Sequence, residues 1–431
     1  MWKSSNFLAK RLETRNGVLI TSNYFKKTFC TRKEYDIAVI GAGIVGMATA
    51  RELAQRYPEK KIVVLEKEKQ VAQHQSKHNS GVIHAGIFYK PGSNKARLCV
   101  QGASLMYAYC KENKIPHEEI GKLIVATNDR ESEQLDNLFH RGIQNGVKDL
   151  ELIDGRTIEQ LEPFVRGKRA LYSPHTGICN YELVTRSLEK DFLQSPRRDV
   201  MKGFRVTGFL LKDSDLIGIQ GVEHENVYAG HVICCAGLSA DTLARLAGGQ
   251  KYPVIIPFRG RYRLLTEEAK SLVKRNIYPV PDPKYPFLGV HFTPTVQGQI
   301  TIGPSAALSL TKNTGASKNV ILGEKALWNF ISKNLSSSLQ EAYYDFFQRA
   351  FVKRAQSLVP SLKWNHTTFG WQGIRAQAMA EDGSLVDDFV FESLGPKGRM
   401  LHVRNAPSPA ATSSFAIAKS ICDRAAAEFS F

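Results

Sequence analysis

The first regular pattern in the chain is a short, nearly unbroken apolar run at residues 35–40, followed by a glycine-rich turn at residues 41–46. A helical pattern continues from the turn to about Tyr57, and a second apolar run at residues 61–66 ends in the acid Glu66. Short apolar runs bounded by turn residues are typical of strands, and a longer run with helical spacing is typical of a helix. The pattern therefore predicts a strand, a turn, a helix and a second strand.

Beyond the second strand, polar and apolar stretches continue to alternate without an internal repeat. A polar loop at 73–86 runs into a predicted strand, and a helix is predicted near 95–112. Within 119–162 we expect a strand at 122–127 and two acidic helical pieces. Strands and one helix follow within 170–235, and a turn at 236–241 starts another helix.

The texture changes at residues 254–299, which are rich in aromatic residues and prolines. Frequent prolines favour edge strands and loops over a central parallel sheet. Helical spacing returns at residues 323–357, and a strand at residues 400–403 precedes an amphipathic closing helix that Asn405 or Ser408 is expected to cap.

Segments with strand–turn–helix patterns thus surround two blocks of different composition, which predicts two interleaved domains. The fold class is α/β (α+β overall), with a Rossmann-like cofactor domain and an inserted substrate domain on a mixed or antiparallel sheet. The expected division is a leader at 1–33, cofactor-domain segments at 34–115, 166–250 and 369–431, and substrate-domain segments at 116–165 and 251–368.

The glycine turn carries the first chemical signal. In a strand–turn–helix unit of this kind, Gly41 makes the tight turn, Gly43 lets the backbone approach a pyrophosphate, and Gly46 packs the helix closely on the strand. The helix N-terminus offers N–H groups and the positive end of its dipole to phosphate. Glu66 lies where a carboxylate can accept hydrogen bonds from ribose hydroxyls, so FAD or NAD is favoured over NADP.

Composition and charge narrow the class of protein. Of the 431 residues, 43% are hydrophobic and 23% are charged, as in globular proteins, and no apolar run is long enough to span a bilayer. The net charge is +17, and residues 1–33 contain eight lysines and arginines against one glutamate, which predicts a mitochondrial transit peptide. The remaining positive charge suits an anionic substrate or membrane surface, and no motif indicates nucleic-acid binding. Seven scattered cysteines without a C-x-x-C pair predict neither a metal site nor a disulfide framework.

Several motifs together resemble a known family. The glycine turn, the segment at residues 79–86 (NSGVIHAG) and the late strand resemble the D-amino-acid oxidase/glycine oxidase superfamily of FAD enzymes. Within it, the segments YPVPDP at 278–283, GVHF at 289–292, LVDDF at 385–389 and NAPSP at 405–409 resemble the family of mitochondrial L-2-hydroxyglutarate dehydrogenases. The resemblance covers residues 34–431. Two positions depart from the expected pattern, Ser305 in place of Asn and Ala410 in place of Gly.

This resemblance implies a function. It implies bound FAD, oxidation of L-2-hydroxyglutarate to 2-oxoglutarate by hydride transfer from C2 to flavin N5, and delivery of electrons to an acceptor other than NAD, such as a quinone or another flavoprotein. A mitochondrial location is implied as well, and peripheral contact with the inner membrane stays open.

The reaction requires a base and cations that bind carboxylates. Histidine is the first candidate for a base near neutral pH, and His84 and His291 lie within motif segments, whereas His402 is expected to pack. Any of these could equally be a structural histidine. Arginine suits carboxylates because its planar fork matches two oxygens, so Arg259 and Arg375 are candidate substrate ligands, with Tyr278 as a phenol donor or, alternatively, a core aromatic residue.

The candidate FAD ligands extend beyond the turn. They are the turn and its acid (Gly41, Gly43, Gly46 and Glu66), Ser76, Asn79 and Ser80 near the pyrophosphate or ring, Val206 on the adenine side, Ala236 and Gly237 at a close backbone approach, and Asn405, Ala406, Pro407 and Ser408 at the flavin end.

Other functions remain open from the residues alone. A flavin enzyme acting on an amino acid, a sarcosine-like amine or glycerol phosphate would share the cofactor motifs. An FAD-containing assembly factor without turnover would lack convergent Arg and His groups near the ring. An NAD-dependent dehydrogenase gives no reason for the histidine-bearing second motif or the NAPSP turn.

Overall fold

The structure is a computed structural model, and it describes residues 33–211, 215–282, 289–312 and 321–429. The predicted transit peptide at residues 1–33 lies outside the described residues except for Lys33, which begins the first strand.

Strands and helices alternate along the chain. The strands are β1 Lys33–Ile40, β2 Ile62–Glu66, β3 Val82–Ile83, β4 His117–Glu118, β5 Lys122–Ala126, β6 Glu151–Asp154, β7 Arg169–Ser173, β8 Gly177–Cys179, β9 Arg198–Lys202, β10 Val206–Leu210, β11 Ile217–Gly221, β12 His224–Cys234, β13 Val254–Leu265, β14 Asn276–Pro279, β15 His291–Pro294, β16 Ile300–Gly303, β17 Ala307–Leu308, β18 Thr367–Met379, β19 Val390–Leu394 and β20 Met400–Asn405. The helices are α1 Ile44–Arg56, α2 Asn94–Glu112, α3 Asp129–Gln144, α4 Gly155–Leu161, α5 Tyr181–Phe192, α6 Ala240–Leu246, α7 Lys325–Lys333, α8 Leu335–Phe346, α9 Gln348–Ala355 and α10 Ser414–Phe429.

The first sheet holds the glycine turn and is called the cofactor sheet. Its strand order is β10-β11-β12-β1-β2-β9, and β20 pairs with β12 and with β19. The pairs that β1 makes with β2 and β12 are parallel, as are β2–β9 and β12–β20. Because β1 and β2 are buried on both faces, they read as continuous apolar runs in the sequence. The helices α1, α5 and α10 contribute to the large core cluster that contains alternate residues of β1 and β2.

The second sheet is called the substrate sheet. Its strand order is β17-β13-β16-β15-β14-β5-β7-β6, with β18 paired along β13, and its pairs are antiparallel except for β14 with β5. A small third sheet has the order β3-β8-β4. The predicted combination of a Rossmann-like domain with an inserted mixed sheet is therefore confirmed.

Sheet membership divides the chain differently from the predicted domain segments at two places. The segments 166–250 and 369–431 were both assigned to the cofactor domain, but β7 and most of β18 fall in these segments and belong to the substrate sheet. β7 pairs with β5, and β18 follows β13 from Thr367 to Met379. A strand's own pattern shows that one of its faces is buried, but it does not specify which sheet the strand joins.

Two further expectations can be compared with the described residues. β14 lies in the interior of its sheet and not at an edge, and it ends at Pro279. Within the described ranges, no helix combines the length and apolar character needed to cross a bilayer.

Candidate active site

The turn between β1 and α1 is built so that only glycine fits at two of its positions. Gly41 has φ +101°, and a Cβ there would lie 2.5 Å from the Cys235 carbonyl oxygen. A Cβ on Gly46 would lie 1.9 Å from the Gly41 carbonyl oxygen. The first turn of α1 therefore packs directly against the end of β1, leaving backbone N–H groups open toward an anion.

Two polar side chains fix this turn from neighbouring segments. The Glu66 carboxylate accepts hydrogen bonds from the Ala42 N–H at 2.7 Å and the Glu68 N–H at 2.9 Å. The Ser76 hydroxyl accepts a hydrogen bond from the Ile44 N–H at 2.9 Å, at the first residue of α1. Glu66 is buried at the end of β2, and each of its oxygens retains a lone pair for a further donor such as a ribose hydroxyl.

A cavity of about 450 Å³ lies over this turn and is called the dinucleotide cavity. Ten of the predicted cofactor ligands line it, namely Gly41, Gly43, Gly46, Glu66, Ser76, Val206, Ala236, Gly237, Asn405 and Ala406. The wall also includes residues that the sequence analysis did not single out, among them Arg205 and Thr207.

A second cavity of about 1000 Å³ is called the histidine cavity. The predicted residues along its wall are Asn79, Ser80, His84, Tyr278, His291, Arg375, Ala406, Pro407 and Ser408. The remaining wall residues include Tyr89, Lys95, Arg141, Tyr262 and Asp387, none of which was assigned a role from the sequence.

The two cavities adjoin. Gln75, Ala376, Ala406, Ala410 and Ala411 line both of them, and the Gln75 side-chain oxygen accepts a hydrogen bond from the Ala376 N–H at 2.9 Å. Four of these five residues are alanines, so short side chains line the junction between the cavities. A dinucleotide in the first cavity can therefore extend a ring system into the second, which is the arrangement that FAD requires.

A strand of the substrate sheet lies against the loop that follows β2 beside this junction. A Cβ on Gly373 of β18 would lie 2.7 Å from the carbonyl oxygen of His78, in the loop that follows β2. The absence of a side chain at Gly373 thus lets the strand that carries Arg375 lie directly against the loop that carries Ser76.

Both predicted histidines are held neutral. Burial, with added repulsion from Lys122 and Arg375, lowers the pKa of His291 to about 3. Burial and the charges of Lys122, His291 and Arg375 also lower the pKa of His84 well below its ordinary value. His291 Nδ1 lies 2.9 Å from the Gly289 carbonyl oxygen, so it carries the proton and Nε2 is left as an acceptor. His84 Nδ1 is buried and has no hydrogen-bond partner among the described residues.

The two predicted arginines are separated by the sheet. Arg375 of β18 pairs with Phe258 of β13, and Ile374 of β18 pairs with Arg259 of β13. Because successive side chains on a strand point to opposite faces, the two guanidinium groups lie on opposite faces of the sheet. Arg375 lines the histidine cavity, whereas Arg259 binds Asp345 of α8 at 2.5 Å. Arg259 lines neither cavity, and its fork is engaged by a buried carboxylate, so the geometry favours Arg375 over Arg259 as a substrate ligand.

Two lysines near the histidine cavity were missed. Lys122 begins β5 and is buried, with a pKa lowered by burial to about 7. Lys95 lies in the first turn of α2, and burial lowers its pKa despite the nearby Asp387 and Asp388. A lysine at the end of a strand or helix is usually solvated, so neither position carries a signal in the sequence.

The segment at residues 406–413 differs from the expected helix start. The closing helix α10 begins at Ser414, and neither Asn405 nor Ser408 caps it. Asn405 ends β20, and its side-chain amide donates to the carbonyl oxygens of Val386 and Asp388 at 2.8 and 2.9 Å. The intervening residues form turns, within which Thr412 Oγ1 accepts a hydrogen bond from the His84 N–H at 3.2 Å. The turns are held over the histidine cavity and so delay the helix.

His402 packs as expected. It is buried beside Phe209, and it lies outside both cavities.

Comparisons with known proteins agree with this geometry. A family model described as FAD dependent oxidoreductase matches residues 36–424. The mitochondrial L-2-hydroxyglutarate dehydrogenase of Nematostella vectensis is 44% identical over all of both chains. The Homo sapiens protein of the same name is also 44% identical, over 92% of this chain and 89% of its own length.

Solved structures show the same fold. The L-alpha-glycerophosphate oxidase of Mycoplasma pneumoniae, solved with FAD bound, matches with a TM-score of 0.74 and 24% identity, over 91% of this chain and 95% of its own. Glycine oxidase from Geobacillus kaustophilus matches with a TM-score of 0.68 and 18% identity, over 91% and 94% of the two chains. The protein uses FAD as its cofactor, and the chain belongs to the L-2-hydroxyglutarate dehydrogenase family of FAD dependent oxidoreductases.

Proposed function

We propose that this protein oxidises L-2-hydroxyglutarate to 2-oxoglutarate in mitochondria. The observation that carries the proposal is the histidine cavity, which adjoins the dinucleotide cavity and brings two neutral histidines and an arginine together. Relatives at 39–45% identity over most of their length carry the name of this activity and of this compartment.

The residues of the chain divide the chemistry between them. FAD, when bound, supplies a hydride acceptor for C2 of the substrate. His291 is the base that takes the hydroxyl proton, because its Nε2 keeps a lone pair while Nδ1 is held by the Gly289 carbonyl oxygen. His84 contacts the substrate from the other motif. Arg375 binds one carboxylate, and Tyr278 donates its phenol to a carboxylate or to the developing oxo group.

The cofactor ligands are assigned from the walls of the two cavities. Gly41, Gly43 and Gly46 would hold the pyrophosphate with the first turn of α1. Glu66 would accept hydrogen bonds from the ribose hydroxyls, and Val206 would border the adenine. The residues that would lie between the pyrophosphate and the flavin ring are Ser76, Asn79, Ser80, Ala236, Gly237 and residues 405–408, all of which line one or both cavities.

One spectrum tests the reaction. Anaerobic addition of L-2-hydroxyglutarate should bleach the flavin absorbance of the purified protein and yield 2-oxoglutarate, whereas the D enantiomer should leave the absorbance unchanged. Bleaching by glycine, L-proline or glycerol 3-phosphate in place of L-2-hydroxyglutarate would assign the chain another substrate. Bound flavin that none of these compounds reduces would make it an assembly factor without turnover.

The proposed acceptor is a membrane quinone, and α8 supports contact with a lipid surface. Its outward face is apolar, because Leu335, Leu339, Tyr343 and Phe346 recur at helical spacing and are all at least half exposed, with Phe346 at 78%. Its inward face is polar. Asp345 is only 3% exposed and binds Arg259 and Ser305.

This inverted pattern fits an anionic bilayer surface. A helix that turns leucine and aromatic side chains outward can bury them at the boundary between head groups and acyl chains. Lys333 just before α8 and Arg349 and Lys353 beyond its end are exposed, and they are placed to attract anionic head groups.

Vesicle sedimentation tests the surface. The protein should bind vesicles of phosphatidylcholine with cardiolipin, and the double substitution Leu339→Glu with Phe346→Glu should abolish binding. Leu193→Glu, at an exposed leucine just beyond α5, is the matched control and should bind normally. If the double variant binds vesicles normally but loses a dimer seen in size-exclusion chromatography, α8 contacts a second copy of the chain and not lipid.

The acceptor is tested separately. After reduction by substrate, a short-chain quinone should restore the flavin absorbance within the time of one turnover, and NAD⁺ should not. Rapid reoxidation by NAD⁺ would contradict the proposed acceptor without affecting the proposed substrate.

A further inference from the structure

Lys122, Tyr278 and His291 occupy three adjacent strands of the substrate sheet. β14 lies between β5 and β15. The pairing of Ile277 with Phe292 places Tyr278 opposite His291, and on the other side Asn276 pairs with Lys122. Because side chains alternate along strands, Lys122 and Tyr278 project from the same face, and Tyr278 stands between the lysine and the histidine.

The side chains form a stack. The Tyr278 and His291 rings are 3.9 Å apart between centroids and nearly parallel, at 15°. Lys122 Nζ lies 4.1 Å from the Tyr278 ring centroid. An imidazole already fills one face of the tyrosine at van der Waals distance, so the ammonium lies over the opposite face.

The surroundings of Lys122 are unusual for a buried cation. Lys122 is 1% exposed, and no carboxylate among the described residues lies within ion-pair distance of it. By contrast, the buried Lys312 is bound by Asp241 at 2.6 Å. The acidic group that interacts electrostatically with Lys122 is the Cys99 thiol. Burial raises the pKa of this thiol to about 12, so it is neutral. Aromatic faces take the place of a counter-ion, with the Phe88 ring centroid 5.4 Å away.

We propose that Lys122 is a positioning residue that keeps the His291 imidazole uncharged and ready to accept a proton, acting across the ring of Tyr278. An ammonium behind the ring repels a second positive charge on the histidine, and the stack fixes the plane of the imidazole. The inference rests on the proposed function only for the role of His291 as base. The coupling between lysine and histidine is independent of the substrate.

The other charged and titratable groups that face His291 are few. Arg375 of β18 adds a second repulsive charge, and His84 faces it from the segment after β3. Tyr262 of β13 lines the same cavity and has a pKa raised by burial to about 12, so it is neutral. Arg354 of α9 lies beside Gly289 and is bound to Glu341.

The dependence of kcat/KM on pH tests the inference, through the fall in kcat/KM at acidic pH (the acid limb). Lys122→Met should raise the apparent pKa of the base by about one pH unit, because it removes one nearby positive charge. Lys122→Arg should keep the limb at its original place. Lys168→Met, which removes an exposed lysine bound to Asp129, is the control for a general loss of charge and should also leave the limb unchanged. An unmoved limb in a Lys122→Met protein that retains FAD would overturn the proposal.

A second measurement does not require turnover. In protein labelled with ¹³C at the histidine Cε1 position, the His291 signal is identified by its loss in His291→Asn. In the unsubstituted protein this signal should stay in the neutral form down to below about pH 5, and in Lys122→Met it should titrate about one pH unit higher.

The two readouts separate the possible failures. A His291 signal that titrates near the ordinary value in the unsubstituted protein would refute the inference even if Lys122→Met does not fold. Normal coupling with no bleaching by L-2-hydroxyglutarate would refute the proposed substrate and leave the lysine–histidine coupling standing.

Discussion

Arg259 and Arg375 show how a single residue's chemistry depends on which face of a sheet it occupies. Both were candidates for binding a carboxylate. Arg259 binds Asp345 within the protein, whereas Arg375 faces the histidine cavity. The sequence shows that Arg259 and Arg261 share a face, and both do contact Asp345. It does not show that α8, almost 90 residues later, supplies their partner.

The arginine pair gives a matched test of substrate binding. Arg375→Lys should raise KM for L-2-hydroxyglutarate about 10- to 100-fold, because a lysine cannot make the bidentate contact, and it should leave the FAD content unchanged. Arg259→Lys should keep KM near its original value. Steady-state kinetics and the flavin-to-protein absorbance ratio measure both effects, and equal KM values for the two variants would remove Arg375 from the site.

His291 gives a second test at this scale. His291→Asn should lower kcat about 100- to 10,000-fold, since the proposed general base is removed while the ring's stacking position is partly filled. The same substitution at His84 should act mainly on KM if His84 contacts the substrate without taking its proton. Rapid-mixing measurement of flavin bleaching separates the two cases, and a larger loss of kcat in His84→Asn would exchange the two roles.

At the scale of elements, the predictions succeed for strands and helices whose sequence signal lies within one short segment of the chain. β1, the glycine turn, α1 and β2 were predicted within a few residues, because the apolar runs and the glycines between them follow one another directly in the sequence. The predictions fail for β7 and β18, whose partners are distant in sequence, and for the start of α10, where contacts with His84 hold the preceding turns. Lys122 was missed because the aromatic rings that pack on it come from segments distant in sequence, Tyr278 from β14 and Phe88 from the turn that follows β3.

Three glycines give a graded test of the turn. Gly46→Ala should abolish FAD binding and lower the free energy of unfolding by about 3 kcal/mol or more, because the new methyl group meets backbone at 1.9 Å. Gly43→Ala should lower the free energy of unfolding by less, since its methyl group meets only the Ser76 hydroxyl at 3.3 Å. Gly323→Ala, in open space before α7, is the control. Thermal unfolding and flavin content give the order, and a stable, yellow Gly46→Ala protein would contradict it.

At the scale of the whole molecule, burial of neutral histidines links the site to stability. Burial lowers the pKa of His402 to about 4 and that of His291 to about 3, and lowers that of His84 as well. The unfolded chain binds protons at these positions near the ordinary value, whereas the folded chain does not. The free energy of unfolding therefore falls as the pH drops from about 6.5 toward 4, with each group contributing a slope of up to about 1.4 kcal/mol per pH unit.

His402 isolates one such contribution away from the cavities. Neither of its ring nitrogens has a hydrogen-bond partner among the described residues. His402→Leu should therefore leave the stability at pH 7 little changed and reduce the slope of the free energy of unfolding between pH 6 and 4.5 by about one proton. Denaturant unfolding at several pH values measures the slope. An identical slope in the variant would mean that His402 is protonated in the folded state.

The close approach of Gly373 to the His78 carbonyl oxygen bears on how this molecule can evolve. The strand that presents Arg375 rests against the same loop whose serine caps the cofactor helix, so neither layer can slide without a collision or a gap at this point. A change of substrate specificity is therefore expected to come from substituted side chains in the histidine cavity. A shift of β18 against the loop would also displace Ser76 and so weaken the binding of FAD.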